Sequence, residues 1–116
     1  MDLYNTINEL IKRLNTSVVK LKDYGKELAE AERDYKILLR QEALKLRTEK
    51  DMPVTLIQQV VYGIPNVAEK RFKRDVAESM YQTAQENINS IKLQMRIIEG
   101  QLNREWSNTK WKKVKQ

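Results

Sequence analysis

The sequence predicts an all-α protein, a long antiparallel helical hairpin that resembles a coiled coil and carries a short capping helix at its tip. Apolar residues recur at three-and-four spacing in both halves of the 116-residue chain. Helix breakers are scarce, with two prolines and three glycines, while 33% of the residues are charged. Both prolines fall in one central segment, residues 48–70. We therefore expect one domain, residues 1–116, made of two long helices joined by a folded elbow.

The first long helix is predicted over about residues 2–48, with Asp2 as its N-cap. With Ile7 at heptad position a, the chain carries two inward series. The a series is Ile7, Leu14, Leu21, Leu28 and Tyr35, and the d series is Leu3, Leu10, Ser17, Tyr24, Ala31 and Leu38. The run 15–19 and Gly25 contain the weakest helix formers of this segment, so a kink is expected there if the helix has one.

A short helix is predicted over about residues 53–62. Asp51 and Pro53 are typical of a helix start, and Gly63 of a helix stop. The apolar residues of this segment recur at one-and-four spacing: Leu56, Ile57, Val60 and Val61. They are too many for a solvated linker, so we expect this helix to pack over the closed end of the hairpin.

The second long helix is predicted over about residues 66–107, followed by a basic tail at 108–116. Asn66 with Glu69 three residues later is the pattern of an N-cap. One heptad series is Tyr81, Ile88, Met95 and Leu102, and the other is Ala77, Ala84, Ile91 and Ile98. Upstream, Val67, Phe72 and Val76 are expected to extend the same apolar surface. Gly100 indicates either a cost in helix stability or a close approach by another helix.

The apolar stripes are wider than one seam between two helices can bury. The surplus predicts a face for self-association or for a partner, formed by Ile11, Val18, Leu39, Ile88 and Ile98. Pairing of two hairpins into a four-helix bundle would cover it, which predicts a homodimer. Docking of a helix from an unidentified protein partner is the competing explanation.

The formal net charge of +6 is concentrated in the second half of the chain. Residues 1–51 carry 11 basic and 10 acidic side chains, and residues 52–116 carry 11 and 6. The expected nucleic-acid contacts are Lys70, Arg71, Lys73 and Arg74 in one cluster, and Arg104, Trp106, Lys110, Trp111, Lys112, Lys113 and Lys115 in the other. Basic residues interleaved with aromatic ones are typical of single-strand binding.

Interpretations without nucleic-acid binding stay open for both clusters. The first cluster follows a helix and a turn, as a DNA recognition helix does, but its helix is too long for a compact helix-turn-helix body. It is equally the solvated face of a long helix. The second cluster is also explained as a frayed, solubilising tail with Trp106 packed on the core. In an antiparallel hairpin the two clusters lie at opposite ends and form no common groove.

The composition argues against catalysis. The chain contains no His and no Cys, so the commonest general base, the commonest metal ligand and thiolate chemistry are all missing. The carboxylates Glu27, Glu30, Glu32 and Asp34 are best explained as a salt-bridged face with Lys26, Arg33 and Lys36. We expect no enzyme activity, cofactor, metal or small-molecule substrate. No apolar run suits a membrane span and the start lacks a secretion-signal pattern, which predicts a cytoplasmic protein.

Two stretches carry a resemblance to a known group. Together they cover more than half of the chain, and they read EAERDYKILLRQEALKLRTEKDMPVTLIQQVVYG and FKRDVAESMYQTAQENINSIKLQMRIIEGQLNREW. They resemble small uncharacterised helical proteins of temperate phages and prophages of Gram-positive bacteria. The resemblance contains no catalytic or ligand motif, so it implies no functional residue. It implies a context, namely a bacterial host cytoplasm and the early, replication or recombination part of a phage genome. We therefore expect a phage accessory protein that binds host or phage replication, recombination or defence machinery.

Overall fold

A computed structural model describes the backbone of residues 2–115 and the side chains of residues 2–109. It confirms the predicted all-α hairpin. Helix α1 spans Leu3–Glu49, α2 spans Val54–Val60, a 3₁₀ turn spans Val61–Gly63, and α3 spans Pro65–Lys115. Helix α1 packs against α3, and residues 2–115 include no β-strand. Helix α1 is helical at every residue through the run 15–19 and Gly25.

Capping at the start of α1 agrees with the sequence. The Asp2 side-chain oxygen Oδ1 accepts a hydrogen bond of 2.9 Å from the backbone N–H of Tyr4. The Asp2 carbonyl accepts a second bond from the backbone N–H of Thr6 at 3.1 Å. The first bond satisfies a backbone N–H that the first turn leaves without a helical partner, and the second is the first bond of the regular helical series.

The elbow between α1 and α2 differs from the prediction. Asp51 does not start α2; it follows the end of α1 in a left-handed conformation, with φ of 47°. Short polar residues such as Asp tolerate this conformation better than most. The backbone N–H of Met52 then bonds to the Leu46 carbonyl at 3.2 Å. Pro53, in an extended conformation, is the N-cap of α2.

The start of α3 also differs. The predicted cap at Asn66 is wrong because Pro65 is already the first helical residue, a position suited to a residue without an N–H. Gly63 lies in the 3₁₀ turn without a positive φ, so it does not end the helix by a left-handed cap. The extended residue Ile64 breaks the helix instead, as expected for a residue before proline. At its other end α3 continues to Lys115, so the backbone of residues 108–115 is helical and not a separate tail.

The described chain divides into two compact units. Unit 1 combines Met1–Leu21 with Thr83–Gln116, and unit 2 is Lys22–Gln82. In unit 1, Leu10 of α1 and the α3 residues Ile88 and Ile91 are buried. The Asn87 side-chain amide donates a 3.1 Å hydrogen bond to the Ser17 hydroxyl across the two helices. The polar d position is therefore satisfied by the facing helix.

Unit 2 contains the folded elbow. Its buried core joins all three helices and comprises Tyr35, Leu46, Ile57, Val61 and Val67, with Leu38, Leu39, Ala43, Met52 and Ile64 packed around it. The capping prediction is confirmed because α2 contributes Ile57 and the next turn contributes Val61. Leu56 and Val60 are exposed, so only one side of the short helix is buried.

Candidate functional site: exposed apolar and basic side chains

An apolar groove of about 330 Å³ opens between the two helices of unit 1. Leu10 of α1 and Ile97 and Ile98 of α3 supply its apolar walls, and its remaining lining residues are Thr6, Glu9, Arg13 and Gln94. Leu10 is buried and Ile98 half-buried, whereas Ile97 is 52% exposed. Leu93, one helical turn before Ile97, is 56% exposed. The groove therefore has an apolar floor, an apolar rim on α3 and rim charges of both signs.

The five residues predicted to form an association face do not lie on one surface. Ile11 and Val18 are exposed on α1, at 39% and 50%, as the prediction requires. Ile98 contributes to the groove. Ile88 is only 6% exposed, so it belongs to the interior of unit 1, as its heptad position indicates, and including it in the face was wrong. Leu39 is half-buried against the core of unit 2.

The basic run at residues 70–74 is engaged within unit 2. The Arg74 guanidinium lies 4.7 Å from the centre of the Tyr35 ring, and its Nη2 atom donates to Asp75 Oδ1 at 2.8 Å. The hydrogen bond to Asp75 raises the pKa of Arg74 above its ordinary value. Arg71 lies 5.4 Å from the ring centre of Tyr62. Both arginines thus stack on aromatic rings near the elbow.

The two lysines of the run face the acidic part of α1. Lys70 and Lys73 line one shallow groove together with Glu27, Glu30, Ala31 and Asp34. Carboxylates of α1 and lysines of α3 therefore lie on one surface groove of unit 2. Sequence spacing along α1 predicted only pairs within that helix, so it did not predict this relationship between helices. Of those expected pairs, the structure shows Arg33 with Asp34, at 3.2 Å. The lysines of the first basic cluster thus lie beside carboxylates of their own chain.

The second basic cluster is described only in part. Arg104 lines a groove of about 470 Å³ with Leu3, Gln101, Glu105 and Asn108. Trp106 is 69% exposed, so the alternative in which it packs on the core is wrong. The side chains of Lys110, Trp111, Lys112, Lys113 and Lys115 lie outside the described residues.

Several exposed apolar residues were missed or misplaced by the sequence analysis. Phe72 and Val76 were expected to extend the buried surface, but both are exposed, while Val67 is fully buried. Their heptad positions indicate this exposure, because neither residue falls in the two inward heptad series of α3. Leu93 and Ile97 also lie outside those series. An apolar residue outside the inward series indicates exposed surface.

No protein-family model, curated protein or solved structure shows significant similarity to the chain. Among the described residues, no helix is both long and apolar enough to cross a membrane.

Proposed function

We propose that this protein acts by binding and not by catalysis, and that its unit 1 groove takes the apolar face of a helix from another protein. The observation that carries the proposal is the exposure of Ile97, which lines the groove, and of Leu93, one helical turn before it on α3. A helix docking in a groove presents apolar anchors at three- and four-residue spacing. Side chains exposed one turn apart on α3 suit such a ligand.

The rim supplies the polar part of recognition. Glu9 and Arg13 lie four residues apart on α1 and line the same groove. A partner helix with one basic and one acidic side chain beside its apolar anchors would complement both. Rim charges of this kind contribute more to orientation and association rate than to affinity.

The resemblance to phage-encoded proteins gives the context of the proposal. We propose an accessory protein in a bacterial cytoplasm whose partner belongs to the host or phage replication, recombination or defence machinery. The proposal does not depend on the basic run at 70–74, since those side chains are engaged within unit 2.

Affinity capture with a matched pair of variants tests the proposal. Ile97→Glu introduces a charge beside the groove, and Leu44→Glu makes a comparable change at an exposed leucine of unit 2. Host lysate, with and without nuclease treatment, is passed over the wild type and both variants, and the retained proteins are identified by mass spectrometry. We expect a defined protein to bind the wild type and Leu44→Glu, and to be lost with Ile97→Glu. Equal retention by all three, or loss of all binding on nuclease treatment, contradicts the proposal.

A second candidate function is single-stranded nucleic-acid binding near the end of α3. The exposed indole of Trp106 favours it, because exposed aromatic rings stack on bases. This function predicts binding of a fluorescent oligonucleotide that weakens steeply with salt and is impaired by Trp106→Ser and by deletion of residues 107–116. Absence of binding at low salt would eliminate it.

A further inference from the structure

Three exposed apolar side chains form a straight row on α1 within unit 1. Tyr4, Ile11 and Val18 are seven residues apart and are 70%, 39% and 50% exposed. A seven-residue spacing brings side chains back to nearly the same side of a helix. We call these three residues the α1 row. They are close to the half-buried seam residues Ile7 and Leu14, so apolar surface continues from the row towards the seam.

The α1 row and the unit 1 groove lie on opposite sides of the seam. Each residue of the row directly follows an inward d residue, whereas the groove residues Thr6 and Arg13 precede inward a residues. In an antiparallel helix pair, the positions that follow the d residues of the two helices border the same side. On α3 the d series is the one that contains Ile91 and Ile98, because each of its residues comes four before a residue of the other series. The positions that follow it include Lys92 and Glu99.

The exposed charges Lys92 and Glu99 bracket the middle of the row. They are seven residues apart on α3. The register follows from two contacts: Leu10 shares the groove with Gln94 and Ile97, and Ser17 pairs with Asn87. Counting along the antiparallel pair, the first contact places the midpoint between Lys92 and Glu99 opposite Leu10, and the second places it opposite residues 8–9. The midpoint therefore lies within one helical turn of Ile11 along the helix pair.

With these positions, the surface formed by the α1 row, Lys92 and Glu99 is complementary to the same surface of a second copy. A two-fold axis through Ile11 would place Ile11 on Ile11 of a second copy and Tyr4 on Val18 of that copy, because both are seven residues from the axis. The same axis would bring Lys92 opposite Glu99 of the second copy, and Glu99 opposite its Lys92. The contact of Ile11 with its own copy lies on the axis and occurs once, whereas the pairs of Tyr4 with Val18 and of Lys92 with Glu99 each occur twice, as an isologous interface requires.

We propose that a second copy of this chain docks antiparallel on the α1 row, with its two-fold axis at Ile11, and completes a four-helix bundle over unit 1. The apolar row supplies the affinity, since exposed ion pairs contribute little. The two reciprocal pairs between Lys92 and Glu99 set the orientation. This inference extends the proposed binding function to a second partner, and the unit 1 groove stays open on the other side of the seam.

Charge reversal tests the interface without touching the core. Lys92→Glu places two carboxylates opposite each other twice in the dimer, and Glu99→Lys does the same with two ammonium groups. We expect each variant alone to raise the self-association Kd about tenfold, measured by sedimentation equilibrium at low salt. Mixed in equal amounts, the two variants should associate with each other about as tightly as the wild type does. The double variant Lys92→Glu/Glu99→Lys should also recover wild-type affinity.

Lys12→Glu is the matched control because it makes the same charge change at an exposed α1 residue away from the α1 row, in a second surface groove that Lys12 shares with Asn87. We expect it to leave self-association unchanged. A Kd unaffected by Lys92→Glu and Glu99→Lys, or unrestored by mixing them, overturns the proposed interface.

Single cysteines test the antiparallel arrangement, since the natural chain has no cysteine. Ile11→Cys should form a disulfide with itself across the axis. Tyr4→Cys and Val18→Cys should cross-link with each other when mixed, and far less when alone. Self-cross-linking of both separate variants would indicate a parallel contact and overturn the proposal. A monomeric wild type would also overturn it, and would leave the result of the Ile97→Glu capture experiment unaffected.

Discussion

Gly25 of α1 lies against the Tyr81 ring of α3 within unit 2. A methyl group at Gly25 would lie 3.3 Å from the Tyr81 Cε2 atom, which is tighter than ordinary van der Waals contact. At Gly100 the nearest atom to such a methyl group would be Arg104 Nη1, at 3.8 Å. Of the two alternatives left open at Gly100, close approach by another helix is not found there, where the neighbouring atom belongs to α3 itself, and such an approach is found at Gly25 instead.

The two glycines should respond differently to alanine. Gly100→Ala should raise the free energy of unfolding by about 0.5–1 kcal/mol, because alanine is the better helix former. Gly25→Ala should give no gain or a loss, because the Tyr81 ring must move. Urea unfolding of the two variants checks this. An equal gain at both positions would show that the ring does not restrict Gly25.

Two valines of α3 in unit 2 differ in burial. Val67→Ala should lower the free energy of unfolding by about 1.5–3 kcal/mol, because Val67 is fully buried in the core at the elbow. Val76→Ala should change it by less than about 0.5 kcal/mol, because Val76 is exposed. Urea unfolding measures both. Similar losses for the two variants would contradict the orientation of α3.

The difference between these valines shows what the sequence could predict. Val76 and Phe72 have the apolar character of core residues, but only their phase against Tyr81 and Ala84 indicates that they are exposed. The heptad pattern predicted the inward residues of both long helices, such as Leu10 and Ile91. It did so because helical periodicity alone determines which side chains share a face.

The backbone conformation at the elbow was harder to predict than which side of each helix is buried. The left-handed Asp51 and the extended Ile64 depend on backbone dihedral angles that residue type only biases. The groove opposing Glu27 to Lys70 depends on the register of α1 against α3. Register is a property of the packed pair, so neither helix shows it alone. Contacts between two helices were therefore less predictable from the sequence than contacts within a single helix.

The stacking of Arg74 on Tyr35 gives a prediction about stability. Arg74→Gln should lower the free energy of unfolding by about 1 kcal/mol, because it removes both the cation–π contact and the charge that pairs with Asp75. Lys73→Gln serves as the comparison and should cost less, since Lys73 is exposed. Thermal unfolding at equal salt concentration checks the difference. Equal effects would indicate that Arg74 does not stabilise unit 2 through these contacts.

The hydrogen bond between Asn87 and Ser17 can be isolated by a double-mutant cycle. Ser17→Ala, Asn87→Ala and the double variant should give a coupling free energy of about 0.5–1 kcal/mol, the range for a hydrogen bond between neutral groups. Urea unfolding of the four proteins provides the values. Zero coupling would contradict this cross-helix contact in unit 1.

Self-association through the α1 row is the central functional claim, and sedimentation equilibrium of the unmodified chain over micromolar concentrations tests it most directly. The chain has a mass of 13.8 kDa, and we predict an average mass that rises with concentration towards twice that value. A mass of 13.8 kDa at every concentration would contradict self-association through the α1 row.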